Sequence, residues 1–186
     1  MTRREYRFSG FGGQGVITMS AIVGRAASIH DDLDATMTEA YGPEKTGGFS
    51  RGDVVVATDT IDYPAVIEPD LVVGFAQDAF ERDADSVRDG GAVIVEQDLV
   101  EPEPLLDDRS DVELYSVPAV DLAEDVARKL VANIVMLGAV VELMDQPSVD
   151  AVRNTVRDVV PEGTEEMNER AFDRGREALG ERMVEA

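Results

Sequence analysis

Apolar residues recur along this chain with two periods, and the switches between them lay out the elements. Residues 3–9 place Tyr6 and Phe8 on alternate positions, a period of two that fits a half-buried strand. Residues from about 14 to 29 read as a helix, and Asp31-Asp32 break the pattern. Leu33, Ala35 and Met37 then alternate as a short second strand. Residues 53–58 and 71–75 are further strands; Leu71-Val72-Val73-Gly74-Phe75 is apolar on both faces and therefore belongs in the centre of a sheet. A helix over 77–89 stops at Gly90-Gly91, a buried strand covers 92–95, 101–111 is an acid- and proline-rich loop, and 112–117 is an edge strand. Pro118 opens a helical region running to about Met144. Ser148 reads as the N-cap of another helix that Pro161 closes. The last helix starts near Thr164 and puts Met167, Ala171, Phe172, Leu179 and Met183 on one stripe. Strands alternate with helices early and helices gather late. The expected fold is α/β, three-layered, with a mostly parallel sheet, helices on both faces, a helical C-terminal region and a single domain over 1–186.

Composition changes that picture in two ways. First, 39 acidic residues stand against 17 basic ones, a net charge of −22, which disfavours nucleic-acid and anionic-membrane partners because both require a basic footprint. Only two of the basic residues are lysines, Lys45 and Lys129. So acid-rich a surface over an ordinary apolar content of 44% points to a halophilic cytoplasm, where a Debye length of about 3 Å at 1 M salt screens self-repulsion. Second, cysteine is absent, so disulfides, thiolate catalysis and iron–sulfur or zinc–thiolate centres have no ligands on this chain. No apolar run approaches a membrane span and no signal peptide opens the chain, so a soluble cytoplasmic protein is expected.

The candidate chemistry centres on Gly10-Phe11-Gly12-Gly13-Gln14-Gly15, followed by Val16. Strand before and helix after make it a turn at which backbone N–H groups and the positive helix end can meet a phosphate. The same glycines would also serve a turn that merely lets the helix pack on the strand. A second glycine-rich loop, 42–48, also follows a strand, and loops at strand carboxyl ends line the ligand crevice of an open α/β sheet. There Lys45 and Thr46 can offer an ammonium and a hydroxyl, and Arg51 is a further cation. Asn133, in an otherwise apolar helix, reads as a buried amide that either ties down a loop, the favoured role, or reaches the ligand, and Gly138 as a point of close helix packing. The lone histidine, His30, falls at the end of the first helix, where a dipole contact suits it. No nucleophile–base pair, metal cluster or carboxylate dyad stands out, so no catalytic residue is assigned and no metal ligand.

Gly-Phe-Gly-Gly-Gln-Gly-Val at 10–16, Tyr-Gly-Pro-Glu-Lys-Thr-Gly-Gly at 41–48, Asn133 through Gly138 and Asn168 through Gly175 resemble the gamma subunit of the 2-oxoacid:ferredoxin oxidoreductases, which include pyruvate, 2-oxoglutarate, ketoisovalerate and indolepyruvate enzymes. Many members carry Arg-Gly-Gly in the second loop, where this chain has Lys45-Thr46-Gly47-Gly48. The resemblance implies a complex that oxidatively decarboxylates a 2-oxoacid to an acyl-CoA and passes electrons to ferredoxin. It implies alpha and beta partner subunits, with or without a delta subunit, that carry the thiamine diphosphate and the iron–sulfur clusters. On this chain it implies coenzyme A binding by Gly10, Gly12, Gly13, Gln14, Gly15 and Val16, aided by Lys45 and Thr46, and no turnover by the chain alone. A dinucleotide-binding domain, with Glu39 on the ribose about 20 residues past the glycines, and a purely structural subunit are the alternatives.

Overall fold

Strand β1 (Arg3–Phe11) carries the two-faced pattern from which the fold grows: Tyr6 and Phe8 are buried on one face, Arg7 and Ser9 on the other. The computed structural model describes residues 2–44, 46–102, 106 and 108–185, with side chains to residue 180. The expectations for the Lys45 and Met183 side chains, and for part of the 101–111 loop, lie outside these residues. With β2 (Asp34–Tyr41), β3 (Phe49–Ala57), β4 (Leu71–Gly74), β5 (Ala92–Glu96) and β6 (Glu113–Val117), the sheet order is β2-β3-β1-β4-β5-β6. From β1 to β6 the pairings are parallel, and β4 is central as expected. β3 runs antiparallel to both β1 and β2, so the sheet is mixed. The reason is the connection: residues 42–48 are too few for a crossover, which takes a dozen or more, so the chain must return as a hairpin. Laddering along that hairpin also extends both strands beyond their expected 33–37 and 53–58.

Helix α1 (Val16–His30) buries Val16, Met19, Ile22, Val23, Ala26 and Ala27, a stripe at three- and four-residue spacing. It shares one apolar cluster, reaching from Tyr6 to Leu179, with α3 (Ala119–Val126), α4 (Ala132–Val141), α5 (Val149–Val159) and α6 (Glu165–Glu185). The opposite face is covered by α2 (Gln77–Asp83) and a 3-10 turn, Ala84–Ser86, over Val72, Val93 and Val95. Helices thus lie on both faces, unequally. The helix expected over 77–89 stops early because the Ser86 hydroxyl donates to the Asp83 carbonyl at 2.5 Å, giving the backbone another partner. The region expected as one helix from 118 is interrupted: Arg128 is extended and a 3-10 turn, Lys129–Val131, precedes α4. Ser148 caps α5 as expected, its Oγ accepting from Ala151 N–H at 3.2 Å. Close packing at Gly138 is also found, since a Cβ there would fall on the Phe172 carbonyl and one at Gly175 on the Val135 carbonyl.

Candidate functional site

The carboxyl end of β1 leads into the glycine turn. Its register with β3 runs out at Phe11 opposite Phe49, and the next contact is Gly12 N–H donating to Gly48 O at 2.8 Å. The two glycine-rich loops therefore sit one on the other. Gln14 braces the turn from inside: its Oε1 accepts from Phe11 N–H at 2.6 Å and its Nε2 donates to Phe75 O at 2.9 Å. Gly10 packs behind, where a Cβ would lie 2.8 Å from Gln14 Oε1 and 2.9 Å from Val16. Gly13 and Gly15 have φ of +97° and +79°, a region that costs other residues about 1–2 kcal/mol. Gly15 ends the turn as the N-cap of α1 and, having no side chain, leaves the helix uncapped. The amides of Gly13, Gly15, Val16 and Ile17 consequently have no acceptor among the described residues.

These amides open on a cleft of about 510 Å³. Tyr41 and Ser50 of the hairpin border it on one side, Leu99 and Val120 on another, and Lys129, Leu130 and Asn133 close it from the start of α4. No aspartate, glutamate or histidine is among its lining residues within the described part of the chain, although acids make up 39 of the 186 residues. Lys129 is exposed and its Nζ lies 3.2 Å from the carboxylate of Glu124, which is less exposed. Behind Leu99 and Val120, Glu96 is completely buried and accepts from Val120 N–H at 3.2 Å and Asp98 N–H at 3.4 Å. Burial pushes its carboxyl up to about 7, against the opposing pull of the Asp98, Val120 and Ala119 amides. A positive helix end, free amides and a lysine whose ion-pair partner Glu124 is off the lining are groups that can meet an anion.

Of the residues singled out in the sequence, Gly12, Gly13, Gln14, Gly15 and Val16 line the cleft. Gly10 supports it from behind, Thr46 does not line it, and Lys45 is outside the described residues. Arg51 is committed elsewhere, its Nη1 donating to Asp83 at 2.8 Å beside the buried Arg7–Asp53 pair. Glu39 accepts from the Tyr41 hydroxyl and stands outside the cleft. His30 is at the opposite end of α1, 3.4 Å from Asp158. The Asn133 side chain, expected to tie down a loop or to reach the ligand, makes no hydrogen bond among the described residues; it borders the cleft and lies against Gly15, where a Cβ would meet its Nδ2 at 2.6 Å. Lys129 was visible in the sequence only as the second lysine, because a turn over 100 positions from the glycines gives no local sign of facing them.

Residues 5–178 match the family described as pyruvate ferredoxin/flavodoxin oxidoreductase. The KorC subunit of 2-oxoglutarate synthase from Methanocaldococcus jannaschii is 42% identical over 180 residues, covering 96% of this chain and 95% of its own. The crystal structure of a keto/oxoacid ferredoxin oxidoreductase gamma subunit from Geobacter sulfurreducens matches with a TM-score of 0.85 and 33% identity, over 97% of this chain and 98% of the other. The same fold occurs in the 2-oxoglutarate:ferredoxin oxidoreductase of Magnetococcus marinus, solved with 2-oxoglutarate, coenzyme A and succinyl-CoA bound; the TM-score is 0.86 at 22% identity, over 97% of this chain and 32% of that one.

Proposed function

From its membership of the pyruvate ferredoxin/flavodoxin oxidoreductase family, to which this chain belongs as a gamma-type subunit, we propose that its task is to hold coenzyme A for a cytoplasmic 2-oxoacid:ferredoxin oxidoreductase. The single observation that carries this reading is the cleft's lining: four unpaired amides and a lysine, with no lining acid among the described residues of a chain of net charge −22. An acid-free cradle in so acidic a protein suits a polyanion such as the phosphates of coenzyme A. The residues act by binding and orientation: Gly13, Gly15, Val16 and Ile17 present N–H donors, Gln14 keeps the turn open, and Lys129 adds charge at the rim. Thiamine diphosphate and iron–sulfur clusters, carried by alpha and beta partners, supply the decarboxylation and the electron path to ferredoxin. The oxoacid is 2-oxoglutarate, after the name of the KorC relative.

A dinucleotide site fits less well. In a Rossmann unit the second strand lies parallel beside the first and ends in the ribose acid. Here the antiparallel β3 intervenes between β1 and β2, and Glu39 is off the cleft. Thermal unfolding of the isolated chain with coenzyme A or NADH separates the readings. Saturation near 100 times Kd stabilises the folded state by about 2.7 kcal/mol. Coenzyme A is expected to raise the Tm and NADH to leave it unchanged; a rise with NADH alone supports the dinucleotide site, and no rise with either supports a structural subunit. The isolated chain is expected to oxidise no oxoacid, and the assembled complex to prefer 2-oxoglutarate over pyruvate.

A further inference from the structure

The two edges of the sheet differ. β6 closes one side with five residues, while β2 leaves the other open over eight, about 27 Å at 3.4 Å per residue. β2 pairs with β3 residue for residue, from Asp34 opposite Ala57 to Tyr41 opposite Ser50, and none of its eight residues is buried. Lysine, proline and bulges, which ordinarily blunt an exposed edge, are absent from it. Beyond its end Gly42 N–H donates to Phe49 O at 2.8 Å and continues the ladder. Bonded residues alternate along an antiparallel pair, so Asp34, Thr36, Thr38 and Ala40 turn their backbone groups toward β3. Ala35, Met37, Glu39 and Tyr41 turn theirs outward, and their N–H and C=O groups have no partner among the described residues.

We propose that β2 is the docking edge for a second copy of this chain, the two strands pairing antiparallel about a two-fold axis at Thr38 and joining two six-stranded sheets into one. Such an axis stands perpendicular to the sheet and keeps its faces, so residues opposite one another must share a face. Centred on Thr38, the pairing sets Ala35 opposite Tyr41 of the second copy and Met37 opposite its Glu39. Every outward group of both strands then meets another outward group, and eight hydrogen bonds form. Other registers do worse. One centred on Met37 puts Tyr41 opposite Leu33, whose N–H already donates to Ala27 O at 3.0 Å. One centred on Glu39 sets two carboxylates directly against each other. The side chains suit the Thr38 register too: threonine meets threonine at the axis, and exposed Tyr41 covers the smaller Ala35. At the usual hydrogen bond per 100–200 Å², eight bonds belong to an interface on the order of 800–1,600 Å², which spans weak to stable pairs. The two Glu39 residues become diagonal neighbours at about 7–8 Å. Each copy also carries a net charge of −22, so the pairing needs salt to screen it.

The test is sedimentation equilibrium of the full chain, joined to disulfide trapping. The mass is expected to rise with concentration from 20.1 kDa to twice that value, and the dimer to tighten at least about tenfold between about 0.1 and 2 M KCl. The chain has no cysteine, so a single introduced thiol reports one position. Thr38 opposite itself is a pair without mutual hydrogen bonds, with Cα atoms about 4.5 Å apart, within the span of a disulfide. Two copies of residue 36 stand about 13 Å apart in the same register, beyond that span. Mild oxidation in molar KCl is therefore expected to crosslink Thr38→Cys at least about tenfold faster than Thr36→Cys. The wild-type sedimentation decides the matter should a variant not fold. A chain that stays monomeric at high concentration in molar KCl overturns the proposal, as does a dimer in which Thr36→Cys crosslinks as fast as Thr38→Cys. So does a monomeric chain whose Ala35, Met37, Glu39 and Tyr41 amides become protected from hydrogen exchange only in the assembled complex, since a different subunit then covers the edge.

Discussion

Replacing Gly13 by alanine tests whether the glycine turn holds a ligand or only packs a helix on a strand. A Cβ at Gly13 meets nothing within 4 Å, so the protein itself has room for it, but φ is +97°. The backbone penalty is about 1–2 kcal/mol. Gly90 is a matched control: φ is +68°, its Cβ also meets nothing within 4 Å, and it precedes β5 outside the cleft. At roughly 2–4 °C per kcal/mol for a chain of this size, both variants should lose about 2–8 °C in Tm. Only Gly13→Ala places a methyl where a phosphate meets the backbone. Losing one charge-assisted hydrogen bond of about 1.5–3 kcal/mol weakens binding roughly 10- to 150-fold. The assay is the apparent KM for coenzyme A in the assembled complex, with oxoacid saturating and assembly checked by gel filtration. A Gly13→Ala complex that assembles with the wild-type KM, or a Gly90→Ala complex whose KM rises as much, refutes the argument. Gln14→Ala cannot replace this pair, because the Gln14 amide holds Phe11 and Phe75 and its loss moves the turn itself.

Three further outcomes are expected. Gly138→Ala forces the α4–α6 crossing apart at the Phe172 carbonyl and should cost about 3 kcal/mol, or roughly 6–12 °C in Tm; an unchanged melting curve would show that the helices slide at no cost. Glu96 binds its proton more tightly in the folded protein, with a value of about 7 against 4.5. Its contribution is therefore fully present below about pH 4.5 and is lost as pH rises through 7, by up to about 3 kcal/mol. Glu96→Gln should flatten that part of the stability profile in urea titrations, and a slope identical to wild type contradicts the assignment. The net charge of −22 should make folding salt-dependent, with Tm rising from low to molar KCl; a flat or falling Tm removes the inference of a halophilic interior.

The two periods of the sequence were sufficient to locate the strands and helices, because burial of one face is written locally in every second or every third to fourth residue. They also identified β4 as central from its apolar run and Ser148 as a cap from its chemistry. The Gly10–Gly15 segment was legible as a strand–turn–helix junction because a strand before it and a helix after it are both local facts. Strand neighbours are not local: the alternation in β3 is the same whichever strand it joins. Only the fold placed β3 antiparallel between β1 and β2 and so set Gly48 on Gly12. Asn133 shows the same limit. Its apolar sequence neighbours favoured a hydrogen-bonded amide over one that reaches a ligand, yet in space its side chain borders the cleft with no hydrogen-bond partner among the described residues. The place of Lys129 at the cleft and the absence of acids from its lining among the described residues were decided in three dimensions too. Composition records how many charges a chain carries; where they stand follows from which surfaces packing leaves exposed.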